Sequence, residues 1–105
     1  MGFFQQPIET MVVGVAKLTL YLPACHSLKE KRQVLRKVKD RTLGRFKLYL
    51  AEVDAGDLWQ RAELGLALVG NDRRVIQSLI DQVFDFVNGF GELQILDQWS
   101  ELVNY

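Results

Sequence analysis

The chain has 105 residues, 49% of them apolar and 25% charged, with no net charge. Those are the proportions of one ordinary globular domain with a modest core, and no run approaches the ~18 apolar residues of a membrane helix. Cys25 is the only cysteine, so an internal disulfide is excluded; with His26 the only histidine, a structural zinc site has too few soft ligands.

Residues 1–10 show no period and are expected to form a loose extension ahead of a single domain over 11–105. They lack the basic start and long apolar stretch of a signal peptide, so a cytoplasmic protein is expected, with no cofactor, metal or membrane. From Met11 to Leu22 the residues alternate. Ala16, Leu18, Leu20 and Leu22 lie on one side and Val15, Lys17, Thr19 and Tyr21 on the other, the pattern of a half-buried strand. Pro23 to His26 make a short turn.

Ser27 followed three residues later by Glu30 is a capping box: the Ser27 hydroxyl accepts from the Glu30 N–H, and the Glu30 carboxylate reaches back to the Ser27 N–H. The helix it opens runs to about Leu43, with Gly44 as its stop. At 100° per residue, Leu28, Val34, Leu35, Val38 and Thr42 share the buried face. Lys29, Arg32, Arg36 and Lys39 form a neighbouring basic stripe. Lys31 points into the middle of the apolar face, so it either snorkels outward or meets a carboxylate from the sheet.

Phe46 to Val53 reads as a second strand, with Phe46, Leu48 and Leu50 on one side and Tyr49, Ala51 and Val53 on the other. Glu52 falls in phase with the first set, which makes it the carboxylate for Lys31. The two are predicted to meet at salt-bridge distance on the rim of the core. Asp54 to Asp57 is turn chemistry. A third strand over Arg61 to Val69 turns Ala62, Leu64, Leu66 and Leu68 inward. Asp72 caps a second helix, Arg73 to about Asn88, whose stripe of Val75, Ile76, Leu79, Ile80, Val83, Phe84 and Val87 is the strongest helical period in the chain. Gly89 to Gly91 ends it. The last strand, Leu93 to about Leu102, places Leu93, Ile95 and Trp99 on one side and Leu96 and Leu102 on the other, a mixed pattern that suits an edge or an interface.

The order is β-α-β-β-α-β. Half-apolar strands with two amphipathic helices predict an α+β ferredoxin-like sandwich: a four-stranded antiparallel sheet, order 4-1-3-2, with both helices on one face. The other face stays open and carries Val15, Tyr21, Tyr49, Ala51, Val53, Ala67 and Val69.

Charge is unevenly spread, with a net of +7 over residues 27–47 and −7 over residues 48–105. A positive patch on a neutral protein still attracts a polyanion. Lys29, Arg32, Arg36 and Lys39, with Arg41, Arg45 and Lys47 extending the charge, are therefore candidate phosphate contacts; the competing reading is a solvated helix face. Tyr21 and Tyr49 offer stacking surfaces. The third strand, however, carries Glu63, Gly65, Ala67 and Val69 where an aromatic-rich RNA-reading strand would need rings, which puts the helix face ahead. The apolar open face predicts a homo-oligomer, most simply a two-fold dimer. No catalytic set is expected. Cys25 and His26 are adjacent and do not converge as nucleophile and base, His26 instead satisfies a loop carbonyl, and Asp54 and Asp57 cap their own turn. Trp59 beside Arg61 has two readings. Either it is an exposed contact, or, slightly favoured, Trp59 closes one end of the core while Arg61 pairs with a carboxylate such as Asp57.

Leu22 to Arg32 (LPACHSLKEKR), Ala51 to Asp54 (AEVD), Asp57 to Ala62 (DLWQRA) and Asn71 to Arg73 (NDR) resemble the YlxP-like family of small bacterial proteins of uncharacterised function, a resemblance covering about residues 11–102. It implies the same ferredoxin-like fold. Such proteins are often encoded beside translation and ribosome-maturation factors, which by association makes RNA or the ribosome the expected partner.

Overall fold

Residues 10–105 are described by a computed structural model; the extension expected over residues 1–10 thus lies, apart from Thr10, outside the described residues. The elements are β1 (Val12–Tyr21), α1 (Leu28–Phe46), β2 (Ala51–Asp54), β3 (Arg61–Gly70), α2 (Arg73–Asn88) and β4 (Gln94–Asn104). All pairings are antiparallel and the strand order is β2-β3-β1-β4, the expected order read from the opposite edge. Period-two alternation sends Ala16, Leu18 and Leu20 of β1 and Ala62, Leu64, Leu66 and Leu68 of β3 into one core with Leu35 and Val38 of α1 and Ile76, Ile80, Val83, Phe84 and Val87 of α2. This is the α+β ferredoxin-like arrangement.

α2 starts as expected, with the Asp72 carboxylate accepting from the N–H groups of Arg74 (2.9 Å) and Val75 (3.4 Å). It lies close on the sheet because two glycines make room for Ile76. A Cβ on Gly14 would stand 2.5 Å from Ile76 Cγ2, and one on Gly70 2.9 Å from Ile76 Cδ1. Val75, counted in the apolar stripe, instead faces out from the first turn.

The remaining boundaries depart from expectation for local reasons. The Ser27 hydroxyl accepts from Glu30 N–H at 3.1 Å, but the Glu30 carboxylate takes the His26 N–H at 2.6 Å rather than that of Ser27. α1 runs straight through Gly44, where a Cβ would meet nothing, so this glycine is an exposed helix position and not a stop. The left-handed cap falls on Lys47, φ 58°, whose N–H donates to the Leu43 carbonyl at 2.9 Å. The extra turn is held by the Phe46 ring, which meets Phe86 edge to face at 5.5 Å between centroids, and Phe86 meets Phe90 in the same way. β2 is correspondingly short. In β4 the register slips between Thr19↔Asp97 and Leu20↔Ile95, leaving Leu96 as a bulge residue. The bulge resets the alternation: Ile95 packs under the helices with Leu102, and Trp99 sits on the open face opposite Lys17.

Candidate functional site

α1 presents two basic flanks, one on each side of its buried face. Lys29, Arg32, Arg36 and Lys39 fall within about 80° of one another at 3.6 residues per turn, on the flank turned away from α2. Lys29, Arg32 and Arg36 are exposed and Lys39 is half-buried. None of these four forms an ion pair among the described residues. The opposite flank is already engaged. Lys37 pairs with Glu92. Arg41 lies 5.9 Å from the Phe90 ring centre, and Arg45 lies 5.4 Å from that of Phe86 and 5.5 Å from that of Phe46. Arg41, expected to extend the stripe, therefore stands apart from it: with a turn of 100° per residue, position 41 falls on the far side of the helix.

The second feature is a clasp at the start of the same helix. Lys31 is 2% exposed, and its ammonium donates to the carbonyls of Ala55 (2.6 Å) and Leu58 (2.7 Å). Glu52 Oε2 stands 2.8 Å from the same nitrogen, off the direction of a hydrogen bond, so that contact is ionic. A lysine in the apolar phase thus meets the predicted carboxylate, plus two loop carbonyls that no periodicity reveals. One of them belongs to Ala55, which the loop holds at φ 62°, a conformation disfavoured for a residue with a Cβ. Gln60 completes the clasp: its side-chain amide donates to the carbonyls of Pro23 and Cys25 (3.2 Å each), and its backbone carbonyl accepts from Leu22 N–H at 2.9 Å. The role of Gln60 had no sequence signal, because an amide beside a tryptophan reads as loop.

The clasped loop displays apolar side chains. Trp59 is 52% and Leu58 47% exposed, so the favoured expectation that Trp59 closes the core is overturned. The loop backbone is fixed from the helix side, which leaves the indole pointing away from it. Nor does Arg61 pair with Asp57, since no such ion pair exists among the described residues; Arg61 is instead the cross-strand neighbour of Tyr21 on the open face. Tyr21, Leu58, Trp59, Gln60, Arg61 and Leu96 line a shallow, mainly apolar depression. Asp57 is exposed on the loop. Asp54 caps the turn as expected, its carboxylate accepting from Ala55 N–H at 2.8 Å. His26 is exposed, and its backbone N–H, not its imidazole, makes the local hydrogen bond; among the described residues its ring satisfies no loop carbonyl. Cys25 is buried, and loss of solvation pushes its thiol above the ordinary value, reinforced by the Glu30 carboxylate and opposed by Lys31. Such a thiol is a poor nucleophile. Among the described residues no three of the His, Cys, Asp and Glu side chains gather closely enough to hold a metal ion, and no helix is long and apolar enough to cross a membrane.

These features define a small ferredoxin-like α+β protein with a braced β2–β3 loop and one cationic helix flank that forms no ion pair among the described residues. The chain belongs to the family described as "Protein of unknown function (DUF503)", whose model matches residues 13–99. It is 30% identical over 83 residues to the uncharacterized protein YlxP of Bacillus subtilis (strain 168), covering 79% of this chain and 90% of that protein. Among solved structures, a REP-associated tyrosine transposase bound to a REP hairpin shares 11% identity with a TM-score of 0.44; the match covers all of this chain and spans 64% of that one. Three of the segments that carry the resemblance, around Lys31, Glu52 and Leu58 to Gln60, are the segments the clasp joins.

Proposed function

We propose that this is a non-enzymatic binding protein for RNA, free or within the ribosome, acting through the outer flank of α1. The observation that carries the reading is the set of Lys29, Arg32, Arg36 and Lys39 on one flank without an ion pair among the described residues. At 1.5 Å per residue the stripe is about 15 Å long, enough to follow several phosphates. Asp40 shares a shallow recess with Arg32, Arg36 and Lys39, and most of the acids that balance the chain to zero net charge lie beyond the helix, so the flank keeps a positive field. Contacts of this type are strong, salt-dependent and poor in sequence information. The test is anisotropy of labelled single-stranded RNA, and sedimentation with ribosomal particles, over a salt series for the native protein and an R32E/R36E/K39E variant. Binding that weakens with salt and disappears in the variant is the expected result; salt-insensitive binding, or binding retained in the variant, overturns the reading.

A second reading, a two-fold dimer through the open sheet face, is favoured by one observation. Near the start of β1, Val13, Val69 and Val103 lie side by side on three strands, with Val15 and Ala67 in the adjacent row. Val69 is 65% exposed. Isolated aliphatic rows of this kind are a usual dimer seam. Light scattering of the native chain and of Val69→Glu tests it: a dimer that the substitution splits supports this reading, and a native monomer removes it.

A further inference from the structure

At the other end of the open face, one level across the sheet runs Asp54 (β2), Glu63 (β3), Thr19 (β1) and Asp97 (β4), each the register partner of the next. Three carboxylates therefore share a row. Asp54 and Glu63 are directly opposed, an arrangement that costs stability. The one cation within 4.0 Å of any of them, among the described residues, is Lys17 beside Glu63. One level further out lies the depression lined by Tyr21, Leu58, Trp59 and Leu96. Leu58, Trp59 and Leu96 are each about half exposed, yet the backbone that carries Leu58 and Trp59 is fixed by Lys31 and Gln60. Exposed apolar side chains on a braced loop have met their ordering cost before any partner arrives.

We propose that this end of the sheet receives a polypeptide segment of another protein that presents one bulky apolar side chain flanked by Lys or Arg. The apolar group enters the depression between Trp59, Tyr21 and Leu96. Its basic neighbours face the row and supply positive charge beside Asp54 and Asp97, which have no ion pair among the described residues. Arg61, on the rim, donates to the segment's backbone carbonyls. Tryptophan, tyrosine and arginine at a preformed hollow are the composition of an interface hot spot. A nucleic acid fits less well, because its phosphates would lie against the carboxylate row. A second copy, whose Val75 and Tyr49 stand exposed near Arg74 and Lys47, is the competing occupant, and light scattering separates the two: self-association of the native chain that is lost in Trp59→Ala overturns the assignment to another protein.

The test is selection of a phage-displayed random-peptide library on the whole protein, counter-selected on Trp59→Ala, followed by NMR titration of the enriched peptides. A Trp99→Phe background leaves Trp59 as the sole indole reporter. The expected result is enrichment of peptides with an aromatic or aliphatic residue beside Lys or Arg, and saturable movement of the Trp59 indole resonance. A D54N/E63Q/D97N variant with native circular dichroism should bind at least about tenfold more weakly. The proposal is overturned if nothing is enriched over Trp59→Ala, if the enriched peptides are neutral or acidic, or if oligouridylate moves the Trp59 resonance and the peptides do not.

Discussion

Beneath Ile76 the backbone of β1 comes so near α2 that hydrogen is the only side chain Gly14 can carry. The obstructing atom, Cγ2 of a β-branched residue, cannot swing aside. Gly14→Ala is therefore expected to cost about 1–3 kcal/mol in urea denaturation. The cost should shrink in an Ile76→Ala background, where the methyl it strikes is gone. Cys25 gives a second residue-level expectation. Burial makes the folded thiol hold its proton to higher pH than the unfolded thiol does. Folded protein thus binds more protons between the two values, and stability falls as pH rises from the unfolded thiol's pKa through the folded one. Urea midpoints above neutral pH should show that decline in the native chain, and a Cys25→Ala variant should lack this part of it. Native-state alkylation of Cys25 by iodoacetamide should be slow throughout.

At the level of elements, the clasp joins α1, β2 and the β2–β3 loop through one ammonium. Lys31→Met would leave two carbonyls and a half-buried carboxylate without their partner, at a cost of roughly 3 kcal/mol. Adding Glu52→Gln should recover part of that loss, as read from a double-mutant cycle, and the loop should become the first site of limited proteolysis in Lys31→Met. This pair was legible in the sequence because a charge in an apolar phase must find a counter-charge, and Glu52 was the one acid in phase on the following segment. The two helices and the strand order were legible for a similar reason, since burial imposes a period. Features set by contacts distant in sequence were not. Gly44 read as a stop because nothing local shows Phe46 caught by Phe86. Trp59 read as core because its exposure depends on a lysine far upstream in the chain. The bulge at Leu96 has no mark of its own, so Trp99 was assigned to the wrong side.

For the molecule as a whole, zero net charge hides two opposed regions, cationic on α1 and anionic beyond it. If the four cations of the outer flank each displace a counterion, log K against log salt should fall with a slope of about −3 for single-stranded RNA, and each charge removed should lessen it by somewhat under one unit. Mixed contact by both regions would instead leave a shallow slope. The border of the sheet has its own consequence. β4 is eleven residues long, and no strand of the described residues lies beyond it. Over residues 94–103 the amides turned away from β1 have no strand partner among the described residues, while those turned toward β1 are locked in the ladder. Deuterium uptake along this rail should therefore come in two speeds, alternating from residue to residue and falling out of step at Leu96. That kink also spoils the straight run a stray strand would need to zip on, so this eleven-residue margin is shielded against accretion into fibres.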